Sequence, residues 1–135
     1  MPYDEQFISD YIEICQLSSE YNRIADEHDG AAFAAMFTED GVWDGGSANR
    51  RIHREGTEQL SKVSDIDLVH VTASPYIEVD GDLATHTIKL VIFTRSADSN
   101  DLLGTGRYVD ELVRTADGWR FKVRRNVMDR TDETQ

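Results

Sequence analysis

The sequence predicts an α+β fold in which N-terminal helices pack against a mostly antiparallel sheet. Apolar residues at three- and four-residue spacing are confined to the first part of the chain, and β-rich runs fill everything after Ile66. Helices first and strands afterwards is a segregated arrangement, and strands joined by short turn-forming spacers lie antiparallel.

From about Asp4 to His28, the residues Phe7, Tyr11, Ile14, Leu17, Tyr21 and Ile24 recur at helical spacing, marking one long helix with a single apolar stripe. Asp29 and Gly30 interrupt it. Asp29 is placed to cap a second, shorter helix carrying Phe33, Met36 and Phe37, which stops before the turn "EDG" at 39–41. "VW" at 42 and 43 begins a short strand, the loop "DGGSANRR" follows, and a third helix is expected from Thr57 to Val63. The runs "LVHVTASPYIEV", "LATHTIKLVIFTR", "LLGTGRYVDELVR" and "WRFKVRRNVM" then read as strands, separated by "DGD", "SADSND" and "TADG". With no repeat or linker, the expectation is one domain over 1–135, frayed at about 1–4 and 130–135.

Bulk composition narrows the function classes. An apolar content of 39% in 135 residues is enough for a buried core without staples. With 14 basic against 26 acidic side chains the formal charge is -12, which repels phosphate backbones and anionic membrane surfaces. Neither nucleic acid nor membrane is therefore an expected partner. Cys15 is the only cysteine, which excludes an intrachain disulfide and a Cys-based metal cluster, and its apolar neighbours make it packing. "MPYDEQF" has no basic leader character and no run of 18 apolar residues occurs, so a cytoplasmic protein is expected.

The stretch "YNRIADEHDG" crowds acids onto the carboxyl end of the long helix, where the macrodipole disfavours an anion by up to about 1 kcal/mol. Glu27 and Asp29 read as solvating that end. Asp26 is open to a second reading, because a residue five after Tyr21 is rotated about 140° from it and reaches the rim of the core. In "LVHVTASPYIEV", His70 alternates with Leu68 and Thr72, and periodicity alone leaves the buried face undecided. A carboxylate that fixes an imidazole tautomer makes a general base, and a phenol such as Tyr21 can hydrogen-bond an oxygen as charge develops on it. Trp43, Phe33, Tyr76, Ile92 and Tyr108 are candidate lining of an apolar pocket, with Trp43 and Tyr108 foremost. Asp110 is either a second acid on the Tyr108 face or part of a solvated edge with Glu111 and Arg114. His86 belongs in a sheet beside Ile88 and Leu90, and His28 and His53 read as exposed. Four scattered histidines without close pairing argue against a zinc site, and neither HExxH nor GxGxxG occurs.

"YNRIADEHDGAAFAAMFTEDGVWDGG", "VHVTASPYIEVDGDLATHTIKLVIF", "GTGRYVDELVRTADGWRF" and the terminal "RRN" together resemble a SnoaL-like domain of the nuclear-transport-factor-2-like superfamily, over roughly residues 5 to 130. The triple Tyr21, Asp26 and His70 is the more specific part. It resembles the branch of scytalone dehydratase, bile-acid 7α-dehydratase and hexachlorocyclohexane dehydrochlorinase, where an Asp and a His at these positions pair. The bile-acid enzyme also has a Tyr five residues before that Asp.

The resemblance implies a cone-shaped α+β barrel, its strongly curved sheet enclosing a pocket, with no cofactor. It implies a lyase, dehydratase-like, with His70 as base, Asp26 orienting it and Tyr21 as acid or oxyanion donor, acting on a small hydrophobic, cyclic or polycyclic substrate. A ketosteroid-isomerase-like or polyketide-cyclase-like reaction uses the same dyad. A non-catalytic ligand-binding or oligomer-assembly module is the alternative from another class. A homodimer or homotrimer formed through the outer sheet face is also implied. Ile92 stands where scytalone dehydratase has a second histidine, and Arg107 is the nearest candidate for the dehydrochlorinase arginine.

Overall fold

Asp4 and His28 bracket the first helix. The computed structural model describes residues 3–46, 51–54, 56–58 and 67–129. In it α1 spans Glu5–Glu27; the Asp4 side chain accepts from the Phe7 backbone N–H at 2.8 Å, and His28 closes the other end in the left-handed region, φ 61°. The predicted stripe is the buried one: Ile14, Leu17, Tyr21 and Ile24 face the sheet. Asp29 caps α2 (Gly30–Ala35) by accepting from the Ala32 N–H.

Among the described residues six strands form one sheet: β1 Phe37–Asp44, β2 Arg51–His53, β3 Leu68–Asp80, β4 Leu83–Arg95, β5 Asn100–Thr115 and β6 Gly118–Met128. Their order is β2-β1-β6-β5-β4-β3. The four long strands after residue 67 pair antiparallel in chain order, as short turns require. β1 pairs with β6 in parallel and, against expectation, begins at Phe37 rather than at Val42. The "EDG" stretch is therefore inside a strand. Its register shifts between Phe37 and Val42, and a Cβ on Gly41 would lie 2.8 Å from both Phe37 Cβ and the Thr38 carbonyl oxygen. The kink passes for a turn in sequence because it uses turn residues to make a bulge. β5 likewise starts at Asn100, inside the expected spacer. Residues 56–58 are helical; the rest of the expected third helix, and 130–135, lie outside the described residues.

One polar clip fastens the helix to the sheet near its amino end. Asp10, 2% exposed, accepts from Arg114 Nη1 at 2.7 Å, Arg114 Nη2 at 3.0 Å and Trp119 Nε1 at 3.1 Å. The Arg114 guanidinium in turn lies 4.6 Å from the centre of the Trp119 ring. Among the described residues no helix is long and apolar enough to cross a membrane.

Candidate active site

The carboxyl end of α1 runs along β3, and two side-chain contacts set the alignment. Asn22 Nδ2 donates to Thr72 Oγ1 at 2.9 Å, and four residues later Asp26 meets His70. Four residues of helix rise about 6 Å and two residues of strand about 6.7 Å, so an i, i+4 pair on the helix matches an i, i−2 pair on the strand. That match selects one face of β3 and turns His70 toward the helix.

Asp26 Oδ1 lies 2.6 Å from His70 Nδ1, and both carboxylate oxygens lie 3.3 Å from the His70 backbone nitrogen. The side chains are 24% and 12% exposed, enclosed yet reachable. With the Nδ1 hydrogen donated to the carboxylate, the Nε2 lone pair is the free basic position. Ile92 is paired with His70 across the β3–β4 ladder.

Tyr21 sits deeper. Its oxygen accepts from Trp43 Nε1 at 3.1 Å. Phe33 and Tyr108 flank its ring at centroid distances of 5.0 and 5.4 Å. Burial pushes the Tyr21 phenol above its ordinary value, opposed by the Arg124 charge and the hydrogen bond from Trp43. Burial lifts Tyr108 further still. Four expected residues, Tyr21, Trp43, Phe33 and Tyr108, thus form one aromatic cluster. The Tyr21 hydroxyl is bonded within that cluster and not to Asp26 or His70.

Tyr76 does not join them. A register shift between Ala73 and Tyr76, with Ser74 at φ 62°, reverses the alternation of β3, so Ile77 is buried and Tyr76 is 67% exposed. It lines a groove of about 1320 Å³ with Tyr3, Phe7 and Tyr11 at the amino end of α1, which neither dyad residue touches. Arg107 is also outside the site, half-exposed and 3.9 Å from Asp129.

Asp110 takes the first of its two readings, as a second acid on the Tyr108 face, and one residue, Arg124, was not singled out at all. Asp110 is not on a solvated edge: β5 lies between β4 and β6, and the side chain is buried. Asp110 Oδ2 is 2.8 Å from Nδ1 of the equally buried His86, and Asp110 Oδ1 is 3.3 Å from Arg124 Nε. Arg124 was hidden by parity. Trp119 and Phe121 face the core, and strict alternation would send Arg124 outward; the register shift between Glu111 and Leu112 opposite β6 turns it in. Among the described residues no group of His, Cys, Asp or Glu side chains is arranged to hold a metal ion.

A profile of the SnoaL-like domain matches residues 6–125. A function-unknown protein from Mycobacterium tuberculosis superposes with a TM-score of 0.87 at 30% identity, covering 98% of this chain and 79% of that one. ActVI-ORFA from Streptomyces coelicolor gives 0.79 at 25% identity, over 88% and 96% of the two chains. A protein from Novosphingobium aromaticivorans, described as NTF2-like with a cystatin-like fold, gives 0.80 at 22% identity, over 98% and 96%. The small subunit of anthranilate 1,2-dioxygenase from Burkholderia cepacia is 38% identical over 50 residues, a match spanning 37% of this chain and 31% of that subunit.

Proposed function

The chain belongs to the SnoaL-like domain family, and from that premise we propose that it is a cofactor-independent lyase that removes water from a small hydrophobic, cyclic hydroxy-carbonyl compound. The 2.6 Å contact between Asp26 and His70 carries the proposal, because a carboxylate-oriented imidazole with one free nitrogen is a general base in place. His70 Nε2 takes the proton from the carbon between the carbonyl and the carbinol. The electron pair of that C–H bond moves into the carbonyl as an enolate, and Asp26 stabilises the imidazolium. Collapse of the enolate forms the carbon–carbon double bond and expels the hydroxyl, which leaves as water with the proton held on His70. Tyr21 keeps its proton and donates a hydrogen bond to the enolate oxygen, its own oxygen being held by Trp43. Phe33, Trp43, Tyr108 and Ile92 supply the apolar surface for the substrate.

A panel of β-hydroxy ketones on cyclic frames, followed by enone absorbance and loss of water by mass, tests this with wild type, His70→Gln and Tyr21→Phe. Turnover by wild type and its loss in His70→Gln supports the lyase. Exchange of the substrate's α-hydrogen with deuterated solvent, without loss of water, would instead support an isomerase or cyclase on the same dyad.

The local likeness to a dioxygenase small subunit favours one other reading, a module that assembles with partner chains. Ligand binding unchanged in His70→Gln, with neither exchange nor elimination in wild type, would support it. In either reading a homodimer or homotrimer is proposed, to be measured by light scattering.

A further inference from the structure

Arg124 places a full positive charge in the middle of the core. Its side chain is 0% exposed, and its guanidinium carbon lies 3.7 Å from the ring centre of Tyr108, 4.1 Å from that of Tyr21 and 4.6 Å from that of Phe121. Among the described residues it has one acid for a partner, Asp110, and a hydrogen bond from Nη2 to Ser18 Oγ at 3.3 Å. Asp110 is fixed from its other side by His86, and neither of these side chains is exposed.

This arrangement is a poor way to stabilise a fold. Well-packed apolar side chains in place of a buried ion pair are commonly neutral or better, and a cage of three aromatic rings suits a methionine or leucine. The contact with Asp110 is also loose: Arg124 Nε and Nη1 are buried without a hydrogen-bond acceptor. Positive charge is therefore left for the ring faces to feel, and a ring that becomes phenolate feels it most. Around Tyr21, Trp43 from β1 donates to its oxygen, the Tyr108 ring from β5 meets its ring edge to face and Arg124 from β6 covers its face. Asp110 from β5 is the charge that opposes them.

We propose that Arg124, held in place by Asp110 and His86, is the positioning residue that sets how much negative charge the Tyr21 phenol can carry. The use of that charge in turnover rests on the reading of Tyr21 as the donor to the enolate oxygen, but the coupling itself is measurable without a substrate.

The experiment replaces Tyr21 by 3,5-difluorotyrosine, whose phenol ionises nearer neutrality, and follows its titration by absorbance and ¹⁹F resonance in otherwise wild-type, Arg124→Met, Arg124→Lys and Asp110→Asn backgrounds. Arg124→Met should raise the midpoint by about one pH unit or more and Arg124→Lys should restore most of it, while Asp110→Asn should lower it. Opposite signs are the signature, since general loosening of the core moves both variants the same way. An unmoved midpoint in Arg124→Met, or shifts of one sign in both, overturns the proposal. If circular dichroism shows Arg124→Met to be unfolded, Arg124→Gln takes its place: a raised midpoint supports the coupling and an unmoved or lowered one overturns it. Wild-type turnover by Tyr21→Phe would remove the catalytic use of the phenol and leave the measured coupling standing.

Discussion

Asp26 holds His70 by both its ring and its backbone, 2.6 Å from Nδ1 and 3.3 Å from the main-chain nitrogen. One carboxylate thus fixes the imidazole tautomer and the position of the strand segment that carries it. An acid at this end of α1 gains nothing from the helix dipole, so its contribution lies in the contact with His70 rather than in the helix.

Asp26→Asn keeps the shape and removes the charge. In the proposed reaction kcat should fall about 10²- to 10⁴-fold with KM little changed, because the lost interaction strengthens only as the imidazolium forms. Thermal unfolding should shift by no more than corresponds to about 1 kcal/mol, since relief at the helix end offsets part of the lost hydrogen bonding. A large fall in stability together with unchanged turnover would reverse the assignment.

Asp10→Ala makes the opposite separation. It leaves Trp119 Nε1 and part of the Arg114 guanidinium without their acceptor, in a place where Asp10 itself is 2% exposed. Urea unfolding should show a loss of about 2 to 3 kcal/mol, with the dyad contact intact.

The same carboxyl predicts a pH dependence. Hydrogen bonding from Arg114 holds Asp10 below its ordinary value of 3.8, with Trp119 and Gln6 adding to the effect against the cost of burial. A group whose folded value is depressed stabilises the fold fully above its unfolded value, and that stabilisation is lost as pH falls through the folded one. Stability measured from about pH 6 down to about pH 2 should therefore fall more steeply in wild type than in Asp10→Asn. Parallel curves would show that Asp10 binds its proton equally in both states.

Gly106 leaves no room for a side chain. A Cβ there would lie 2.4 Å from the Val127 carbonyl oxygen and 2.8 Å from Met128 Cα, both on the neighbouring strand. Gly106→Ala should cost on the order of 2 kcal/mol in denaturant unfolding and weaken turnover as well, because Tyr108 is two residues away on the same face. A neutral result would mean that β5 and β6 separate easily here.

What could be read in advance was local. The stripe from Ile14 to Ile24 and the cap at Asp29 each follow from a few neighbouring residues, and both are in the structure. His70 opposite Asp26 is a long-range fact; only its resemblance to the paired residues of known relatives suggested it. The failures share one cause. Register shifts in β1, in β3 and between β5 and β6 each reverse inside and outside, and no residue type announces them. They turned Tyr76 out and Arg124 in, and they hid the strand that begins at Phe37. The parallel β1–β6 pairing was equally illegible, since the partners are some eighty residues apart and share no turn.

That pairing also orders events in time. During synthesis α1 and β1 emerge before the other described strands, yet β1 meets its long neighbour only when β6 has been made. Asp26 can find His70 once β3 exists, whereas Trp43 and Tyr21 must wait for the segment that carries Arg124. A nascent chain can thus have the Asp26–His70 contact before the Tyr21 phenol is surrounded, and such late, long-range closure favours slow folding with a partly formed sheet exposed meanwhile.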